Sequence, residues 1–306
     1  MSSDQPTFCC IGESLWDALP EGLFLGGAPL NVAVDLHALG QSVVLLSAVG
    51  QDTLGELVRR RLEEKGLDTS YLQTSSYETG WVDVRLLDGI PSYTIHEPVA
   101  WDDLSIPSGG FPECEYLVHG SLALRSQTSA QTIKSAIESQ HSKGGHVVFD
   151  VNLRAPFDHP ETYKPYLYTC TILKINEDEL SILEHVLDMD IQQTASMQQR
   201  LEAISQRIEC SQILCTQGAK GASVWKEGQY WHQKANPVQA IDTVGAGDAF
   251  LAGFLAGQAM GLSMEDTLQF STILAGFVAT QSGATPSLSA YSEILKAKRS
   301  NPTDTF

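Results

Sequence analysis

Asp242 and Asp248 flank Gly245, Ala246 and Gly247 in the stretch AIDTVGAGDAF, residues 240–250. A small-residue turn entering a helix gathers several unpaired backbone N–H groups in one concavity, and the helix dipole adds partial positive charge there. An anion is the natural guest of such a turn, because small residues let it come close to the backbone. The same residues also fit a tight turn in which Asp248 is only the N-cap of the following helix. That helix, with Ala249, Phe250, Ala252, Gly253, Phe254 and Ala256, has the small apolar surface that close packing beneath the turn requires.

Other polar residues could join this chemistry. Asn176 and Glu179 in KINEDEL have the spacing of a helix-capping pair. Asp17, in GESLWDALPEG, reads as a turn carboxylate. Arg154, in FDVNLRAPF, is either a cation facing ligand oxygens or half of a structural ion pair. Neither GxxxxGK[ST] nor GxGxxG occurs, so a phosphate ligand would need a different cradle from those of the P-loop and dinucleotide folds.

These residues must be positioned by a large globular unit. The chain has 306 residues, 42% of them hydrophobic, enough for a full core. Its 19 basic and 37 acidic residues give a net charge of −18, which argues against non-specific binding to nucleic acid or anionic lipid. The six cysteines lack metal-site spacing and several lie in apolar runs, as reduced buried cysteines do. With no signal-like start and no long apolar run, the expectation is a cytoplasmic protein without membrane association.

Short apolar runs at 43–50, 116–121, 146–153, 171–176 and 212–218 read as strands covered on both faces. Between them, TLGELVRRRLEEKGL places Leu54, Leu57, Val58 and Leu62 on one helical stripe before Gly66, and SAQTIKSAIESQHSKGG repeats that plan. The alternation predicts an α/β fold with a mostly parallel sheet between helices. Residues 12–26 and 75–101 break the rhythm and predict a small discontinuous β-layer, with turns at Pro20 and at Leu87 to Pro91. The expected organisation is one domain over 1–306, with this layer covering a cleft, clasping a dimer, or both.

DTVGAGDAF resembles the C-terminal signature of the ribokinase-type (PfkB) carbohydrate kinases, and GGAPLNVAVDLHALG (26–40) resembles their paired-glycine N-terminal signature. KINEDEL matches the family's N-x-x-E element, CTQGAKGASVW its T-x-G-x-x-G stretch, and SGATPS (282–287) the segment closing over the nucleotide. The similarity runs from about residue 10 to about residue 289. It implies a ribokinase-like three-layer sandwich with a small β-sheet lid, and transfer of the ATP γ-phosphate to a sugar hydroxyl.

By this resemblance Asp248 is the base and the Gly245, Ala246 and Gly247 N–H groups hold the γ-phosphate. Asp17, Gly26, Gly27, Asn31 and Arg154 contact the sugar. Asn176 and Glu179 act on Mg²⁺ through water, while Thr216, Gly218, Gly221, Gly247 and Thr272 lie along the nucleotide. Asp242, Val244, Val278, Gln281, Gly283 and Ser287 match positions that bind a monovalent cation, K⁺, in ribokinases.

GESLWDALPEG, GGAPLNVAV and VNLRAPF look more like fructokinases than ribokinases, so fructose is the expected acceptor and fructose 6-phosphate the product. The chain departs from the fructokinase pattern at TIHEPVAWDD, where His96 replaces an arginine and Trp101 adds bulk. Ser121 stands near the position where ribokinases often use a carboxylate, and Thr272 where they place an asparagine. Ribose, 2-keto-3-deoxygluconate or adenosine as acceptor, and a non-catalytic sugar-binding homologue, are the alternatives. The expected assembly is a monomer or a homodimer through the β-layer.

Overall fold

The computed structural model describes residues 7–19, 22–87, 90–192, 194–287 and 291. The chain opens with β1 (Phe8–Ile11), β2 (Leu15–Leu19), β3 (Gly22–Gly26), α1 (Ala28–Ala38), β4 (Val43–Gly50), α2 (Thr53–Glu64) and β5 (Leu72–Ser75). It continues through β6 (Gly80–Leu87), β7 (Ile90–Ile95), β8 (Tyr116–Gly120), α3 (Gln127–Ser142), β9 (His146–Asp150), α4 (Pro160–Leu167), β10 (Ile172–Asn176), α5 (Glu177–Val186) and α6 (Met197–Ile208). The last elements are β11 (Gln212–Thr216), β12 (Ala222–Lys226), β13 (Gln229–Gln233), α7 (Ala246–Ala259) and α8 (Met264–Ala279).

Among the described residues, nine strands form the main sheet in the order β13-β12-β11-β10-β9-β8-β1-β4-β5, with antiparallel pairing only at β11-β12-β13. Alternate residues of its strands enter two different cores. Phe8 and Cys10 of β1 pack with α1, α2, α7 and α8, whereas Cys9 and Ile11 pack with α3 to α6. Both strand faces are therefore apolar, which is why these segments read as continuous hydrophobic runs. The predicted three-layer α/β architecture is the one observed.

Local signals explain several boundaries. Asp52 caps α2 by accepting from Gly55 N at 2.8 Å, and Gly66 follows with φ 79°. The strand expected over 146–153 stops at Asp150, since Asn152 turns to φ 38°. The one expected over 212–218 stops at Thr216, before Gly218 at φ 55°. Both departures occur at the carboxyl edge of the sheet, where the chain bends to form the candidate site.

The second sheet has the order β3-β2-β6-β7 and draws on the two stretches that interrupt the strand–helix rhythm. β6 and β7 pair antiparallel up to Leu87 opposite Ile90. Pro20, Asp88 and Gly89, at the expected turns, lie outside the described residues. Among the described residues, no helix is long and apolar enough to cross a membrane.

Candidate active site

The turn before α7 is built on Gly245, the helix N-cap, at φ 80°. A Cβ there would lie 2.5 Å from the Ala284 Cβ, so glycine is required by backbone conformation and by the neighbouring loop. Ala246 N–H donates to Thr243 O at 3.3 Å, whereas the Gly247 and Asp248 N–H groups find no acceptor among the described residues. Asp248 is thus inside the first turn and is not the cap. Its carboxylate is 8% exposed and accepts from Asn31 Nδ2 at 2.8 Å. Burial pushes its pKa up to about 6, against Lys174, the Asn31 hydrogen bond and Arg154, while Asp150 adds to the rise.

Asn31 lies in the first full turn of α1, and its buried Oδ1 has no hydrogen-bond partner among the described residues. Asp17, on β2, lies so close to Gly26 that a Cβ there would collide with Asp17 Oδ2. Burial pushes Asp17 up to about 6; Arg154 opposes the shift, while Asp242 and Asp248 reinforce it. Glu13 lies at the same end, 2% exposed, its Oε1 accepting from Ala28 N at 3.1 Å. Burial lifts its pKa to about 7, with Asp248 adding and Arg154 opposing. Arg154 itself is exposed and makes no ion pair among the described residues, although its charge influences Glu13, Asp17 and Asp248.

Beneath the turn, Lys174 Nζ donates to Asp150 Oδ1 and Oδ2 at 2.9 and 3.0 Å. The pair is buried, and a Cβ at Gly247 would lie 3.1 Å from the ammonium. Burial alone would lower the Lys174 pKa, but the Asp150, Glu179 and Asp248 carboxylates outweigh it and the net shift is upward. Asn176 and Glu179 form the capping pair: Glu179 N donates to Asn176 Oδ1 and Asn176 N to Glu179 Oε2, both at 2.8 Å. Glu179 Oε1 accepts from Leu153 N at 2.8 Å, fixing the residue next to Arg154. Among the described residues no cluster of three or more acidic, histidine or cysteine side chains could cage a metal. All four carboxylate oxygens of Glu179 and Asp150 already accept a hydrogen bond within the protein, and what remains to them is a second lone pair that could accept from metal-bound water rather than ligate Mg²⁺ directly.

Thr216 ends β11, and Gly218 and Gly221 frame the turn that follows, the latter at φ 104° with Gln233 O directly behind it. Thr272 is buried within α8, its hydroxyl donating to Leu268 O and Gln269 O at 3.0 and 2.9 Å. Asp242 joins two loops, accepting from Val244 N at 3.0 Å and Gly283 N at 3.2 Å. Val278 O accepts from Gln281 N at 2.9 Å at the end of α8. Ser287 lies farther along the same loop, and Gly283 packs against the Phe24 ring of the small sheet.

This arrangement agrees with comparison to known proteins. A family model described as pfkB family carbohydrate kinase matches residues 22–290. The chain belongs to that family. It is 33% identical to a fructokinase of Klebsiella pneumoniae over 81% of this chain and 83% of the relative. It is also 28% identical to the aminoimidazole riboside kinase of Salmonella typhimurium, over 80% of this chain and 78% of that one. A fructokinase double mutant from Vibrio cholerae O395, solved in its fructose-, ADP- and potassium-bound form, superposes with a TM-score of 0.80 at 27% identity, covering 95% of this chain and 99% of that one.

In this PfkB carbohydrate kinase, the sequence motifs led to Asp248, Asn31 and Asp17 but not to Glu13, Asp150 or Lys174. One signal was available for the last two: charged residues inside or ending buried strands are rarely tolerated unless paired. Concavity is no guide here, since a cavity of about 510 Å³ lined by Tyr116, His146, Ile172 and Gln212 lies at the opposite, amino edge of the sheet.

Proposed function

We propose that this kinase transfers the γ-phosphate of ATP to the 6-hydroxyl of fructose, with Asp248 as the base. The observation that carries the reading is Asp248 itself, a buried carboxylate with a pKa of about 6 beside Gly247 and Asp248 N–H groups that find no acceptor among the described residues. A sugar hydroxyl needs a proton acceptor within hydrogen-bond reach, and one titrating just below neutral pH is charged when needed. The N–H groups at the start of α7, with Gly245 as its cap, stabilise charge on the transferred group as it develops, and Arg154 adds an exposed cation. Mg²⁺ held through water by Glu179 and Asp150 would neutralise phosphate charge.

Asp17, Asn31 and Asp248 present acceptors to the hydroxyls of a polyol lying against Gly26 and Gly27. The raised carboxylates Glu13, Asp17 and Asp248 lie near Arg154, and Asp248 also near Lys174, whose charge is already paired with Asp150, a balance that favours a neutral acceptor over a sugar acid or sugar phosphate. The fructokinase relatives support fructose in particular. On this reading the small sheet closes over the sugar, with Phe24 against Gly283 as one of its contacts. The nucleotide follows Thr216, Gly218 and Gly221, and Thr272 contributes packing because its hydroxyl is already engaged. K⁺ would sit at the loops joined by Asp242. Six free cysteines, five of them buried, support a reducing cytoplasmic setting.

The test is ADP release measured with Mg²⁺ and K⁺ across fructose, glucose, mannose, ribose, 2-keto-3-deoxygluconate and adenosine. Fructose should be turned over well above the rest, and only with Mg²⁺ present. Preference for the sugar acid or the nucleoside would refute the neutral-polyol reading.

A further inference from the structure

We infer that Glu13 is a positioning residue for the acceptor end of this site, holding the Gly26–Gly27 turn and the start of α1 in register with Asp248. The inference rests on the kinase reading above and adds a residue that its motifs do not include. Helix α1 begins at Ala28 after Gly27, an N-cap with φ 111° and no side chain to satisfy the exposed N–H groups. Glu13, fifteen residues earlier in the chain, supplies the missing acceptor: its Oε1 takes the Ala28 N–H at 3.1 Å. Its backbone acts on the same turn, since a Cβ on Gly27 would lie 2.5 Å from Glu13 O. Glu13 therefore fixes Gly27 from two sides.

The consequence reaches Asp248 through one helical turn. Asn31 N donates to Gly27 O at 2.8 Å, and Asn31 Nδ2 donates to Asp248 Oδ2 at 2.8 Å. A loose Ala28 would thus disturb both the glycines against which the sugar lies and the amide that orients Asp248. A buried carboxylate is a costly way to cap a helix when water or a serine would serve. Its place beside the sugar turn gives that cost a purpose.

The experiment compares wild type, Glu13→Gln and Glu13→Leu by amide hydrogen exchange at Ala28 and by steady-state kinetics with fructose and ATP varied separately. Glu13→Gln keeps an acceptor atom, so Ala28 protection and the fructose KM should stay near wild type. Glu13→Leu should lower Ala28 protection and raise the fructose KM, each by about tenfold, with the ATP KM unchanged. Glu13→Ala replaces the leucine variant if that protein fails to melt cooperatively. Equal damage from Gln and Leu, unchanged Ala28 exchange in Leu or Ala, or matching rises in both KM values would overturn the inference. Ala28 exchange needs no turnover, so a wild type inactive on every sugar would refute the kinase reading while exchange still decides the role of Glu13.

Discussion

Asn31 Nδ2 donates to Asp248 Oδ2 at 2.8 Å, joining the first turns of α1 and α7 across 217 residues of chain. Through this bond the helix that follows Gly26 and Gly27 also holds the proposed base. The amide favours the charged carboxylate and opposes the upward pull of burial. Asn31→Leu should therefore move the acid limb of the kcat/KM profile to higher pH and lower kcat/KM at neutral pH by about tenfold. A pH–rate series on the variant measures both, and an unmoved limb would remove Asn31 from the control of Asp248.

In the wild type, the base must be ionised to accept the hydroxyl proton. Activity should fall as pH drops through about 6, the value to which burial raises Asp248. A flat profile between pH 5 and pH 7, measured by kcat/KM for the sugar with ATP saturating, would assign the base elsewhere.

Asp248 also has a predictable effect on stability. Its folded pKa lies above its unfolded value of 3.8, so folding stability falls as pH rises from about 4 to about 6 and the penalty then stays constant. The difference corresponds to about 3 kcal/mol. Asp248→Asn should lower turnover by about 10²–10⁴-fold while raising the melting temperature at pH 8, with no gain at pH 3.5. Calorimetry at the two pH values tests the sign.

Lys174 and Asp150 form a buried ion pair, and removing one partner strands the other. Lys174→Met should destabilise the fold by about 3–5 kcal/mol, and adding Asp150→Asn should recover most of that loss. Turnover near neutral pH should be impaired in Lys174→Met and recover only in part in the double variant, because Lys174 favours the charged form of Asp248 more strongly than Asp150 opposes it. Urea melts and pH–rate profiles separate the two effects. Full recovery of both would make the pair purely structural.

Arg154 offers the converse case. It is exposed and without an ion pair among the described residues, so Arg154→Gln should change stability by less than about 0.5 kcal/mol. On the proposed function it should still lower kcat/KM by at least about tenfold. Wild-type kinetics in this variant would leave its charge without a role in transfer.

Much of the fold was legible because strand and helix periodicities are local. The run at 43–50 became β4 over the same residues, and the Leu54, Leu57, Val58 and Leu62 stripe became α2. The strands predicted at 146–153 and 212–218 were too long because apolar composition continues past the point where Asn152 and Gly218 adopt positive φ. At the site, Asn176 and Glu179 illustrate an ambiguity that spacing cannot remove. They form the capping pair their positions suggest, and the same Glu179 also reaches Leu153 N on a separate loop.

The sequence by itself determined the turn before α7, since Gly245 and the small residues after it encode a backbone conformation within a few consecutive positions. It also determined the family, through motifs spread over nearly the whole chain. Only the tertiary structure decided which partners each functional side chain has. Asn31 meets Asp248, Glu13 meets Ala28, and Lys174 meets Asp150 across 217, 15 and 24 residues of chain. Burial and charge at those meetings set the pKa values, and neither is a property of a residue within its local stretch of sequence.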